Sequence, residues 1–221
     1  ALVGANATFA DDTAVATVTS EDVAPSILFD TNATAAFDEE DDGTATATIT
    51  LSHPSALGVT VDYATSQAGD AKQSRDYQAK TGSVSFDDEF TTDQEVTVLL
   101  DPDVLDENDE TFDIALSNAA GGSITVASHT LTITDNDPLP TVSIASIPAQ
   151  GEGAAGDEVG VSVNVSLDVV SGRDVTVSYF TEEVTDSATP DVDYTTVLST
   201  DITFVAGETS KQVQLTILGD D

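Results

Sequence analysis

Apolar and polar residues alternate with period two along most of this chain. Ala45, Ala47, Ile49 and Leu51 alternate with threonine, and Val59, Val61 and Tyr63 form the next run. Val84 and Phe86 follow, then Val96, Val98 and Leu100, then Phe112, Ile114 and Leu116, and finally Leu131 and Ile133. Such alternation predicts strands with one buried face, and helical spacing is nearly absent. With a first strand near Ile27 and Phe29, about seven short strands fall within about 110 residues, the profile of an immunoglobulin-like sandwich. A second series starts at Val142 and Ile144. It continues through residues 161–167, 175–179, Ile202 with Phe204, and Val213, Leu215 and Ile217. That series ends after five strands, without equivalents of residues 111–116 and 130–134.

Internal repetition sets the domain plan. Residues 13–25 (TAVATVTSEDVAP) and 128–140 (SHTLTITDNDPLP) each run from a short alternating strand into an acidic corner and a proline. They lie about 115 positions apart, a period that marks whole domains and not solenoid repeats. Glu39 and Glu152, Asp76-Tyr77 and Asp193-Tyr194, and Asp103 and Asp220 recur at a similar offset. The predicted fold is therefore all-β, a tandem of immunoglobulin-like antiparallel β-sandwiches. Residues 1–22 are expected to be the last strand of a preceding or partner unit, 23–137 a complete domain, and 138–221 a domain lacking its last two strands. Asp137-Pro138-Leu139-Pro140 and Val23-Ala24-Pro25 are short, proline-stiffened joints, which predict units lined up as a semi-rigid rod.

Charge narrows the function. Forty-one acidic residues against five Lys and Arg give a formal net charge of −36, which makes nucleic acid or an anionic membrane a poor partner. A compact chain with this charge repels itself unless cations neutralise it. Cysteine, methionine and tryptophan are absent and aromatics make up only 5%, so no disulfide or thiol chemistry is available and the cores must be built mostly from Val, Ile, Leu and Ala. No apolar run reaches the length of a membrane span.

The acidic turn at Glu39, the Asp76-Tyr77 pair, DPDVLDENDETF, LSN and the closing DND stand in an order that resembles the Calx-beta domain. That family occurs in sodium–calcium exchangers, integrin β4 and many bacterial surface proteins. VTVSYFT, DVDYTTVLSTDITFVAGETSKQV and ILGDD extend the resemblance into the last unit. It implies a seven-stranded sandwich with Ca²⁺ sites in loops at one end, in keeping with the six to eight oxygens that Ca²⁺ takes. The implied ligands are Glu39, Asp76, Asp103, Glu107, Glu110, Asp135, Asn136 and Asp137. In the last unit they are Glu152, Asp193 and Asp220, and in the leading segment Glu21 and Asp22, where Ser20 replaces the first acid of the corner. Scattered acids such as Glu89 and Asp168 read as solvated turn residues.

Other motifs fail on context. The G-x-G-x-x-G at residues 151–156 precedes a period-two strand, not a helix, so it reads as a turn and not a dinucleotide site. Residues 38–43 resemble the start of an EF-hand loop, but Ile49 stands where a bidentate Glu belongs. His53 and His129 are isolated, and the carboxylates lack the aromatic platforms of a sugar-cleaving site. No enzyme activity is expected. The expected role is a Ca²⁺-binding repeat of an extracellular, cell-surface bacterial adhesin or fibre, with neighbouring copies or domains of the same protein as partners. One alternative is a filament in which residues 1–22 of one subunit complete residues 138–221 of the next. A continuous longer polypeptide accounts for both chain ends with fewer assumptions. Further alternatives are a glycan- or protein-binding module and a Ca²⁺ sensor.

Overall fold

The computed structural model describes residues 14–19, 22–33, 35–87, 92–185 and 187–220. Fourteen strands and no helix occur among them. In the first sandwich, β1 (Ser26–Phe29), β3 (Thr44–Leu51), β6 (Asp93–Leu99) and β8 (Ser123–Ile124) form one sheet in the order β6-β3-β1-β8. The facing sheet contains β2 (Ala36–Asp38), β4 (Val59–Ser66), β5 (Thr81–Phe86), β7 (Glu110–Ala120) and β9 (Ser128–Thr134), in the order β2-β9-β7-β4-β5.

Alternation becomes burial most plainly in β3. Ala45, Ala47, Ile49 and Leu51 face the core while the intervening threonines are half-buried. Ala45 stands opposite Val98 and Ala47 opposite Val96, so the antiparallel register brings small and branched side chains together. Bulk comes from Phe29, Phe86, Phe112 and Tyr77, all buried. The Tyr77 and Phe112 rings stack with centroids 4.2 Å apart. The all-β expectation holds, with two additions. β2 runs parallel to β9 and β8 runs parallel to β1, but neither has enough residues to show a period.

The second series folds as expected into β10 (Val142–Ile144), β11 (Glu158–Leu167), β12 (Val175–Tyr179), β13 (Thr200–Phe204) and β14 (Ser210–Leu218). β10-β11-β14 repeats the β1-β3-β6 arrangement, and β12-β13 repeats β4-β5. Its core is smaller: Val161, Val163, Val165, Leu167, Phe204 and Val213 are buried, while Val175, Val177, Tyr179 and Ile202 are only partly covered. Among the described residues β12 pairs with β13 alone, whereas β4 pairs with both β5 and β7. Residues 14–19 belong to no strand, and Val15 and Val18 lie 94% and 93% exposed. Glu21 and residues 1–13 lie outside the described residues.

Among the described residues, the two sandwiches meet at a clasp. Asp106, on the loop before β7, and Ser171, on the loop between β11 and β12, are 3% and 1% exposed and form an isolated bridge. Gly172 N–H donates to the Asp106 carbonyl at 3.0 Å. Ser171 Oγ and Arg173 Nε donate to Asp106 Oδ2 at 3.1 and 3.2 Å, and Arg173 Nη2 pairs with Asp106 Oδ1. A Cβ on Gly172 would fall 2.4 Å from Glu107 Cγ, so glycine is what permits this approach.

Truncating Phe112 removes a fully buried ring, the one that Tyr77 stacks on. Phe112→Ala is expected to cost about 3–5 kcal/mol, measured as a lowered denaturant midpoint with an unchanged slope.

Candidate metal centre

Local turns place each acid. After β2 the chain reverses through Asp38–Gly43, where Asp38 Oδ1 accepts from Glu40 N (3.0 Å) and Asp41 N (2.8 Å). Asp42 Oδ2 accepts from Asp38 N at 2.8 Å, and Gly43 closes the turn at φ +62°, where a side chain is strained. These acids are therefore occupied with the turn itself, while Glu39 is left facing the end of β9.

A second turn presents Asp76. Its carboxylate accepts from Lys72 N, its backbone N–H donates to the Lys72 carbonyl at 2.9 Å, and Tyr77 anchors it in the core. Ser74 takes φ +67° and donates to the Tyr77 carbonyl at 2.8 Å. The second sandwich repeats this geometry. Asp193 Oδ2 accepts from Thr189 N at 2.6 Å, and Asp191, at φ +58°, donates to the Tyr194 carbonyl at 2.7 Å. The Asp-Tyr pair is thus structural as well as acidic. It pins a tight turn to the sandwich and aims a carboxylate out of its end.

The loop before β7 and the end of β9 complete the first site. Asp70 Oδ1 accepts from Thr111 N and Oγ1, fixing the start of β7 and so Glu110. Glu107 N donates to Asp135 Oδ1 at 3.1 Å, and Asp135 N to Asp109 Oδ1 at 3.3 Å. Two triads result, Glu39–Asp135–Asp137 and Asp76–Glu107–Glu110, each with ligand oxygens within 4.8 Å of one another. A cavity of about 10 Å³, on the scale of a single water or small ion, lies among Glu39, Asp76, Glu107, Glu110 and Asp135.

Electrostatics shows what this arrangement lacks. Burial, then the charges of Asp103, Asp135, Asp137 and Glu107, push the Glu39 carboxyl from 4.5 to about 7. Burial, then a hydrogen bond and charge from Asp76, push Glu110 to about 7 as well. Glu107 and Asp137 are also raised, burial being the first cause for each. Asp137 Oδ2 is buried and has no hydrogen-bond partner. An oxygen-only, crowded and partly orphaned donor set fits a hard divalent cation such as Ca²⁺.

Six of the expected ligands of the first sandwich converge: Glu39, Asp76, Glu107, Glu110, Asp135 and Asp137. Asp103 lies outside the triads, its Oδ1 accepting from Leu105 N at 2.8 Å, although its charge acts on Glu39, Glu107 and Asp137. Asn136 turns away, its Nδ2 donating to Asp38 Oδ1 at 2.8 Å. Glu152, Asp193 and Asp220 form a third triad in the second sandwich. Asp22 is exposed and lines a hollow with His53 and Pro54, beside the β3–β4 loop, at the opposite end of the first sandwich from its triads. Asp106 and Arg75 were not singled out from the sequence. Asp106 looked like one more acid of DENDE, and an arginine among acids carries no motif.

The family model described as the Calx-beta domain matches residues 20–137 and 149–221. Among solved structures, CBD12 from CALX1.2 is 23% identical, covers 87% of this chain and 76% of its own, and gives a TM-score of 0.46. The apo-form Calx CBD1 domain is 24% identical, covers 51% and 98%, and gives 0.47. A two-domain protein of unknown function from Bacteroides fragilis NCTC 9343 is 9% identical, covers 88% of each chain, and gives 0.37. No curated protein matches.

The raised carboxyls make the ion-free fold acid-loving. Glu39 and Glu110 hold protons in the folded state that the unfolded chain releases near 4.5, so their contribution is complete below that value and is lost as pH rises through about 7. In chelator, the melting temperature is expected to rise as pH falls from 8 to 5. Glu39→Gln or Glu110→Gln should flatten that rise. Asp70, held below its ordinary 3.8 by Thr111, acts in the opposite direction only in stronger acid.

Proposed function

Because the chain belongs to the Calx-beta domain family, we propose that Glu39, Asp76, Glu107, Glu110, Asp135 and Asp137 bind Ca²⁺, and that calcium stiffens a tandem of such sandwiches as the rod of an extracellular bacterial adhesin or surface fibre. Calx-beta domains are calcium-binding β-sandwich modules and not enzymes. The observation that carries the reading is the pair of adjoining triads with the orphaned, buried Asp137 oxygen. No helix among the described residues is long and apolar enough to cross a membrane.

Bound Ca²⁺ would supply positive charge and a shell of six to eight oxygens at the sandwich end. The chain's own residues link that site to the joint. The loop that carries Glu107 and Glu110 into the cluster also carries Asp106 into the clasp with Ser171 and Arg173. Ordering the loop therefore orders the contact between domains. Because the ligands meet only once the sandwich has formed, binding energy becomes folding energy.

A second reading, head-to-tail assembly by strand complementation, is favoured by the edge of β12 that no strand among the described residues covers and by the open cleft of about 850 Å³ beside Tyr194 and Ile217. A following stretch of the same polypeptide could fill the places of both β7 and β9, while residues 1–22 of a neighbouring copy could fill the place of β9 and leave that of β7, beside β12, still open. A calcium-dependent rise in mass on light scattering would favour the neighbouring copy.

For a dissociation constant on the order of 10⁻⁴–10⁻³ M, 10 mM Ca²⁺ is expected to stabilise each site by about 1.4–2.7 kcal/mol over chelator. A thermal melt would show this as a rise that Mg²⁺ does not reproduce. An equal rise with Mg²⁺ or plain salt would sink the calcium reading. Arg173→Ala should leave both domains folded in Ca²⁺ but shorten the mean end-to-end distance, read by fluorescence transfer between labels on residues 57 and 198.

A further inference from the structure

Five Lys and Arg residues must serve a chain of net charge −36, and two of them reach the loop between β6 and β7. Arg173 does so from the other domain, through Asp106. Arg75 does so from within the first sandwich. Its Nη2 pairs with Glu107 Oε1, and its Nε lies 3.7 Å from Asp76 Oδ1. Both acids belong to the Asp76–Glu107–Glu110 triad. We propose that Arg75 is a tethered counter-cation. It holds the Asp76–Glu107 edge of the cluster when no ion is bound and swings into solvent when calcium enters, lowering the affinity that the carboxylates alone would give.

This role rests on the calcium reading above and adds its regulation. Exposure separates the partners. The Arg75 side chain is 54% exposed, against 7% for Asp76 and 21% for Glu107. The guanidinium can leave for water at small cost, while the acids stay fixed. It cannot diffuse away either. The turn ties its backbone, with Arg75 N donating to the Lys72 carbonyl at 3.1 Å and Asp76 next to it anchored by Lys72 N. Glu107 feels the competition directly, because burial, Asp103, Asp76 and Asp135 push its carboxyl up while Arg75 draws it down.

The second sandwich provides an internal comparison. Its equivalent turn reads Asp191-Val192-Asp193, so an uncharged valine stands where Arg75 stands beside Asp76. The triad Glu152–Asp193–Asp220 is built on the same turn without a tethered cation. Lys72, on the first turn, directs its Nζ to the Asp70 carbonyl, away from the triads. Competition for the ion therefore falls on one residue.

The test is calorimetric titration of the full chain with CaCl₂, for wild type, Arg75→Gln and Arg75→Lys, with melts in chelator alongside. Arg75→Gln is expected to bind calcium about three- to tenfold more tightly, as removal of one partly screened like charge implies. The same variant should melt at a lower temperature in chelator, where its counter-charge is missed. Arg75→Lys keeps the charge and should track wild type in both. A merely structural role would lower both quantities together. Calcium uptake that Arg75→Gln leaves unchanged or weakens overturns this role alone. A wild-type chain that takes up no calcium overturns the calcium reading and this role with it.

Discussion

Repulsion among fixed carboxylates is the constraint on which the rest of this structure depends. Two unit charges 4.8 Å apart, the widest spacing within each triad, repel by about 3.5 kcal/mol at an effective dielectric near 20. A typical backbone hydrogen bond returns about 1 kcal/mol net. The turns that present Glu39 and Asp76 cannot hold such a cluster ionised by their own bonds. Something positive must enter, and the structure shows each kind of positive charge in waiting. Protons are taken up by Glu39 and Glu110, whose carboxyls rise to about 7. A guanidinium lies against Glu107, and the orphaned Asp137 oxygen leaves a place for a metal.

The sandwich is what keeps the acids from escaping one another. Asp76 follows from Tyr77, whose ring is locked against Phe112 in the core. Glu110 is itself the first residue of β7, and the next residue, Thr111, ties that strand to Asp70. Asp135 and Asp137 leave β9 directly after Ile133, which is buried opposite Phe37. Glu39, Asp76, Glu110 and Asp135 thus stand one or two residues from Phe37, Tyr77, Phe112 and Ile133, and moving them means moving a strand. That rigidity makes the site costly without an ion, and under the proposed function it is what would let a bound ion act on the joint between domains.

The strands and most of the first cluster were legible in the sequence, for separate reasons. Half-buried strands must alternate, so β3, β6, β7 and all five strands of the second sandwich could be read directly. β2 and β8 could not, since two or three residues hold no period and their pairing is parallel to distant partners. Glu39, Asp76, Glu107, Glu110, Asp135 and Asp137 stood out because they match the ligand positions that the resemblance to the Calx-beta domain implies. Asn136 and Asp103 stood out equally well, but side-chain direction separates them: one turns to Asp38 and the other caps its own loop. Asp106 was invisible for the opposite reason. Its partners Ser171 and Arg173 lie more than sixty residues away, and only the packing of two domains brings them together.

That clasp also explains why a charge-saturated chain keeps any arginine at the joint. A surface pair between long side chains contributes little in water, but Asp106 is 3% exposed, and its carboxylate accepts from the Ser171 hydroxyl as well as from the Arg173 guanidinium. A buried carboxylate without these partners would be costly, so the contact discriminates between a docked and an undocked neighbour. Glu107 sits next to it in sequence and against Gly172 in space. The same short loop is therefore pulled from two sides, by the next domain through Asp106 and by the cation site through Glu107. Arg75 and Arg173 hold those two sides, and in the proposed exchange departure of Arg75 would leave the loop free to follow the metal while Arg173 kept its hold on Asp106.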